Sequence, residues 1–197
     1  LVGSEMCIRD RLEQGYPAEK IVVAGDSAGG GLALALCLWL KNHKEPLPSG
    51  VIAMSPWTDL TISGESVETN FEKDPLFGKT RDSMLYNKDY LGDNDPTNEY
   101  ISPLFGDFEG FPPLLIQVGS YEMLLSDSTR VAKKAKEAGG KVKLSIYEGM
   151  FHVFQMAMLL MPESKKAWAE IKRFLHYLDA EEKEENEMQN ISKEEKA

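Results

Sequence analysis

The sequence predicts an α/β fold, with a mostly parallel sheet and helices on both faces of that sheet. Short apolar segments alternate along the chain with segments of helical character, as expected when helices connect parallel strands. The first apolar segment is continuous and rich in β-branched residues, which is typical of a strand buried on both faces. Apolar residues make up 42% and charged residues 27% of the 197 residues, as in ordinary globular domains.

The predicted elements follow one another as four strands with helices between and after them. The strands are predicted at Ile21–Ala24, Val51–Ser55, Leu114–Val118 and Val142–Tyr147. The helices are predicted at Leu32–Leu40, near Thr80–Leu91, at Ser126–Ala138 and at Glu163–Leu178. Gly139-Gly140 is expected to end the third helix, because glycine readily adopts the left-handed conformation of a C-cap.

The two ends of the chain are expected to lie outside the folded domain. Residues 1–11 show no pattern that leads into the first strand, and we expect them to be non-native or disordered. Residues 12–180 form the predicted domain, truncated at its N-terminal side. Residues 181–197 hold seven acids and three lysines with few apolar residues, which predicts an acidic tail that is a frayed helix or disordered.

Charge and composition exclude several classes of protein. Lys and Arg number 22 against 32 Asp and Glu, a net charge of −10 that disfavours nucleic acid as a partner. The longest apolar runs, Leu32–Leu40 and Phe151–Met161, are shorter than the roughly 20 residues of a transmembrane helix. The chain shows no secretory signal pattern, and two cysteines predict no disulfide framework. We therefore expect a cytoplasmic protein and leave its oligomeric state open.

The turn after the first predicted strand carries a candidate nucleophile, Ser27. Residues 25–29 fit the pattern G-x-S-x-G, in which a sharp turn between strand and helix exposes a serine hydroxyl. The small residues Gly25 and Gly29 are expected to let strand and helix approach closely. The N–H of Ala28, at the helix start, would stabilise an oxyanion. The alternative is a structural or phosphate-binding glycine turn, although the dinucleotide and Walker patterns do not fit.

A serine nucleophile needs a base, and His152 is the candidate among three histidines. His152 follows the fourth predicted strand, and functional loops of open α/β sheets lie at the carboxyl ends of strands. His43 ends a helix and His176 lies within one, so both are interpreted as structural or solvated.

An acid should orient the imidazole of that base, and the loop after the third strand offers two candidates. Glu122 is preferred, because it lies four residues beyond the strand. Asp127 is the alternative, although its place in the first turn of a helix also suits an acid that interacts with the helix dipole. Asp59 could substitute from the loop after the second strand, whereas Asp74 has no strand before it.

Several stretches together resemble the hormone-sensitive-lipase-like branch of the α/β-hydrolases, which includes bacterial carboxylesterases and arylacetamide deacetylases. The matching stretches are IVVAGDSAGGG (21–31), SPWTDL (55–60), SPL (102–104), PPLLIQVGSYEMLL (112–125) and YEGMFHVF (147–154). The resemblance implies a serine hydrolase of small acyl esters that needs no cofactor or metal. It assigns the nucleophile to Ser27, the base to His152 and the acid to Glu122, where many relatives have Asp.

The same resemblance implies that the chain corresponds to a C-terminal part of the family's fold. The family's upstream HGGG-type loop, which supplies oxyanion-hole N–H groups, is not found in these 197 residues. We therefore expect impaired activity and poor solubility for this chain. Two alternatives stay open: a prolyl-oligopeptidase-like peptidase, which the flanking Asp26 and Ala28 disfavour, and a non-catalytic small-molecule-binding relative, which His152 disfavours.

Overall fold

The computed structural model describes residues 2–78 and 90–194. The strands are β1 (Val22–Asp26), β2 (Gly50–Met54), β3 (Leu114–Gly119) and β4 (Val142–Tyr147). The α-helices are α1 (Val2–Glu13), α2 (Ala28–Asn42), α3 (Ser66–Thr69), α4 (Leu125–Glu137) and α5 (Pro162–Glu194). Short 3₁₀ helices lie at Ala18–Lys20, Pro103–Phe105 and Phe154–Leu160. The helix predicted near Thr80–Leu91 lies outside the described residues, except for its last two positions.

The four strands form one parallel sheet in the order β1-β2-β3-β4. Asp26 of β1 is in register with Met54 of β2, and Met54 in turn with Gln117 of β3. Gly119 at the end of β3 pairs with Tyr147 at the end of β4. The predicted parallel sheet is therefore confirmed, and the loops that follow β1, β2, β3 and β4 emerge at one edge.

Alternate residues of the central strands face different helices. On one face, Val51 and Ile116 belong to a buried cluster with side chains of α2 and α4. On the other face, Ile52 and Leu115 pack against Ile171, Phe174 and Leu178 of α5. The prediction of helices on both faces is confirmed, because apolar side chains point to both sides of β2 and β3 and each side needs a covering helix.

The first strand differs from its prediction as a strand buried on both faces. Ala24 and Asp26 are exposed, and the other residues of β1 are half-buried. The apolar run Ile21–Ala24 indicated a strand correctly, but β1 is an edge strand of the described sheet. Position in the sheet, which the run itself does not encode, determines its burial.

Residues 2–13 form a helix, which differs from the expectation of disorder for residues 1–11. Ile8 is buried and belongs to an apolar cluster with Leu36 and Leu40 of α2. Arg9 pairs with Glu45 at 3.3 Å, and its guanidinium lies over the ring of Trp39. The helix therefore depends on tertiary contacts. The sequence of residues 1–11 taken alone does not indicate these contacts.

The last helix continues far beyond its predicted end at Leu178. α5 runs from Pro162 to Glu194 and includes most of the acidic tail. Of the two alternatives predicted for the tail, a helix or disorder, the structure has the helix as far as Glu194. Glu181 forms an ion pair with Lys141, the residue that precedes β4. No helix among the described residues combines the length and the apolar character needed to cross a membrane.

Candidate active site

Ser27 occupies the turn between β1 and α2 in a backbone conformation that is unusual for a residue other than glycine. Its φ is 53° and its ψ is −122°. The Ser27 N–H donates to the carbonyl of Met54 at 2.9 Å, and the Ser27 carbonyl accepts from Trp57 at 2.9 Å and from Gly31 at 3.1 Å. Such a conformation costs about 1–3 kcal/mol and persists only where neighbouring structure fixes it. These three bonds connect Ser27 to the end of β2, to the loop after β2 and to the first turn of α2.

Two glycines make this turn sterically possible, and only one of them was expected. A Cβ at Gly25 would overlap the carbonyl of Gly29, and a Cβ at Gly31 would overlap the carbonyl oxygen of Trp57. A Cβ at Gly29 would meet no atom within 4 Å. The expectation of close packing at Gly29 is therefore wrong for the described residues, and Gly31 has that role instead.

His152 lies in the loop after β4, with its side chain directed at Ser27. Its Nε2 is 2.8 Å from Ser27 Oγ, and only 6% of its surface is exposed. The ring of Phe77 packs against the imidazole, with 4.5 Å between the ring centroids. When Nδ1 carries the proton, Nε2 is free to accept the hydroxyl proton of Ser27.

Glu122 lies on the opposite side of the imidazole and is fully buried. Its Oε2 is 2.9 Å from His152 Nδ1. Its Oε1 accepts hydrogen bonds from the Ser55 hydroxyl at 2.7 Å and from the Gly119 N–H at 2.6 Å. The carboxylate is thus held on both oxygens, and Ser27, His152 and Glu122 form one continuous hydrogen-bonded line.

Asp127, the alternative acid, contacts other groups. Its Oδ2 accepts from the N–H of Thr58 at 2.7 Å and from the N–H of Asp59 at 2.9 Å. Burial raises the pKa of Asp127 to about 7, and the nearby charge of Asp59 adds to that rise, while the N–H donors oppose it. Asp127 therefore holds the loop after β2.

The other acids considered from the sequence also have structural contacts. Asp59 pairs with Arg130 at 2.8 Å and accepts from the hydroxyls of Thr61 and Ser63. Burial raises the pKa of Asp59, but those hydrogen bonds outweigh it and lower the pKa below its usual value. Asp74 accepts from the N–H of Met123 at 2.9 Å and so supports the loop that carries Glu122.

The raised pKa of Asp127 predicts a pH-dependent stability. A carboxyl group whose pKa is about 7 in the folded protein and about 3.9 in the unfolded chain contributes stability below pH ~4, and that stability is lost as pH rises through ~7. We expect Asp127→Asn to remove this loss, so the variant gains on the wild type by up to about 4 kcal/mol between pH 4 and 8. Urea unfolding at a series of pH values measures the difference, and parallel profiles for the two proteins would contradict it.

The remaining residues considered from the sequence are Ala28, His43 and His176. Ala28 is the first residue of α2 and follows Ser27 directly, so its N–H is one of those at the helix start that have no partner within the helix. His43 is exposed and stacks on Trp39, and His176 is exposed on α5. Within residues 2–78 and 90–194, no group of three or more His, Cys, Asp or Glu side chains could hold a metal ion.

Two residues next to the site were not identified from the sequence as site residues. Ser55 bonds to Glu122, and the Asn70 side chain donates to the backbone carbonyls of Ser120 and Glu122 at 3.0 and 2.9 Å. The position of Ser55 was a usable signal, because the carboxyl ends of neighbouring parallel strands meet at one edge. Asn70 lies in an irregular segment and gave no comparable signal.

A family comparison identifies the fold that carries these residues. A family model described as alpha/beta hydrolase fold matches residues 5–156. The chain belongs to the α/β-hydrolase fold family. The matched residues include the turn at Ser27, the parallel sheet and the loops after β3 and β4.

Individual relatives of this α/β-hydrolase include an esterase and an acetyl-hydrolase. It is 45% identical to an esterase of Acinetobacter venetianus over 169 residues, which cover 85% of this chain and 55% of that esterase. It is 40% identical to an acetyl-hydrolase of Streptomyces hygroscopicus over 156 residues, covering 79% of this chain and 52% of the relative. The chain thus spans about half the length of the curated relatives it matches.

A solved structure supports the same branch of the family. The crystal structure of an esterase from the bacterial hormone-sensitive lipase family matches with a TM-score of 0.82 and 40% identity, covering 87% of this chain and 57% of that chain. The resemblance to the hormone-sensitive-lipase-like branch is therefore confirmed.

Proposed function

We propose that this α/β-hydrolase is a serine carboxylic-ester hydrolase. The observation that carries the proposal is the hydrogen-bonded line from Ser27 Oγ through His152 to Glu122, with spacings of 2.8 and 2.9 Å. A nucleophile, a base and an acid that orients the base, in this order and at these distances, are the parts that acyl transfer needs.

In the proposed reaction, Ser27 Oγ bonds to the ester carbonyl carbon while its proton passes to His152 Nε2. The carbonyl oxygen becomes an oxyanion, which the Ala28 N–H stabilises. His152 then gives the proton to the alcohol as the C–O bond breaks, and an acyl-enzyme remains. Water attacks the acyl-enzyme by the same route, releasing the carboxylic acid and restoring Ser27. Glu122 keeps the proton on His152 Nδ1 and stabilises the imidazolium that forms.

Small acyl esters are the proposed substrates. The relatives described above are an esterase and an acetyl-hydrolase, and the name of the second supports a short acyl group. In this chain we assign one oxyanion donor, the Ala28 N–H. An oxyanion hole that lacks one donor is slower by about 10²–10³ in rate. We therefore expect slow turnover when the Ala28 N–H acts alone.

A fluorophosphonate probe tests the proposal, because it forms a covalent bond with an activated serine. We expect the probe to label the wild-type protein and not Ser27→Ala, and we expect p-nitrophenyl acetate to be hydrolysed faster than a prolyl amide. Preference for the prolyl amide would favour a peptidase instead. A folded wild-type protein that is neither labelled nor active would favour a non-catalytic binding protein and would refute the proposal.

A further inference from the structure

Ser55 lies where the loops of the candidate acid and the candidate base meet. It directly follows β2 and is fully buried. Its backbone has a φ of 47°, in the left-handed region that disfavours residues with a side chain. The Ser55 N–H donates to the carbonyl of Gln117 at 2.7 Å, so this conformation is fixed by the neighbouring strand β3.

The Ser55 hydroxyl makes two hydrogen bonds in opposite senses. It donates its only proton to Glu122 Oε1 at 2.7 Å and accepts the N–H of Val153 at 3.1 Å. Val153 is the residue after His152 and has a φ of 51°. One oxygen atom thus connects the side chain of the acid to the backbone of the residue that follows the base.

We infer that Ser55 is a positioning residue, which holds Glu122 and the His152 loop in the alignment that proton transfer requires. The inference rests on the proposed function and adds a fourth residue to it. Ser55 and Gly119 together hold Glu122 Oε1, so Oε2 is left to face His152 Nδ1. The Ser55 hydroxyl is one of three groups that contact the Glu122 carboxylate, and hydrogen bonds to ionised groups are roughly twice as strong as neutral ones.

Ser55→Ala removes the hydroxyl and keeps the Cβ. We expect kcat for p-nitrophenyl acetate to fall about 10–100-fold with KM changed by no more than about twofold, because Ser55 touches the acid and the base loop but no substrate. We also expect the downfield N–H proton resonance of His152 to shift and to exchange faster with water. That resonance reports the His152–Glu122 hydrogen bond whether or not the protein turns over substrate.

Two further variants serve as controls. One tests the effect of the backbone conformation at Ser55, and the other tests the effect of losing a buried hydroxyl elsewhere. Ser55→Gly also removes the hydroxyl but adopts a φ of 47° without the steric cost that a Cβ imposes in Ser55→Ala. Ser102→Ala is the matched control: Ser102 is equally buried, and its hydroxyl accepts the Leu60 N–H at 2.8 Å. We expect Ser55→Gly to lose activity like Ser55→Ala, and Ser102→Ala to keep wild-type kcat and the His152 resonance.

The outcomes distinguish this inference from the proposed function. Wild-type activity in Ser55→Gly would overturn the inference, as would a loss of activity with an unchanged His152 resonance. If the wild-type protein hydrolyses no ester and resists the fluorophosphonate, the proposed function fails. The His152 resonance then still decides: a shift in both Ser55 variants but not in Ser102→Ala supports the positioning role, and no shift refutes it.

Discussion

Replacing His152 with alanine is expected to lower kcat/KM for a short-chain ester by about 10⁴-fold or more. His152 Nε2, 2.8 Å from Ser27 Oγ, is the proposed acceptor of the hydroxyl proton. Ser27→Ala and the double variant should be no slower than His152→Ala, because the two residues act as one unit. Initial rates and the rate of fluorophosphonate labelling measure the loss.

The assignment of Glu122 as the acid can be tested in the same assay by comparing variants of the two candidate acids. Glu122→Gln is expected to cost about 10³–10⁴-fold, because an amide can donate to His152 Nδ1 and favour the wrong tautomer. Asp127→Asn is the matched control, since Asp127 is also buried but contacts Thr58 and Asp59. If Asp127→Asn lost more activity than Glu122→Gln, the assignment of the acid would be reversed. An active His152→Ala protein would exclude the mechanism altogether.

Gly25→Ala is expected to destabilise the fold by about 2–3 kcal/mol or more. The new Cβ would overlap the Gly29 carbonyl at the start of α2, so strand and helix would have to separate at the Ser27 turn. Urea unfolding followed by circular dichroism measures the change in the free energy of unfolding. Ester hydrolysis should fall further than stability alone explains, because Ser27 lies in this turn.

Gly29→Ala is the control for the same turn. A Cβ at Gly29 would meet no atom within 4 Å, and alanine favours a helix by about 0.5–1 kcal/mol over glycine. We therefore expect Gly29→Ala to be neutral or slightly stabilising. Equal destabilisation by the two substitutions would show that steric overlap at Gly25 does not explain the effect.

The sheet and the candidate residues at its edge could be predicted because their signals are local. A continuous apolar run indicates a strand, and Ser27, Glu122 and His152 each follow such a run. Topology then places the three loops at one edge, since parallel strands share a direction. The catalytic roles of these residues stay predictions until the variants are measured.

What the sequence did not predict depends on contacts between distant segments. The helical conformation of α1 depends on the packing of Ile8 against α2. Ser55 ends the second predicted strand and lies within a matching stretch, but its hydrogen bond to Glu122, 67 residues later, depends on how the two loops pack. Similarly, Gly31 is required because a Cβ there would overlap the Trp57 carbonyl oxygen. The five-residue pattern G-x-S-x-G includes neither residue.

The order of the strands also has a consequence for how the protein folds. Each parallel pair is joined by a long crossover, and Ser27 and His152 are 125 residues apart along the chain. Such high contact order slows folding, because each loop must close before its contacts can stabilise it. The hydrogen bond between Ser27 and His152 can form only when the chain has closed across all four strands. During refolding, the proposed esterase activity should therefore return last, after the helices and the individual strand pairs have formed.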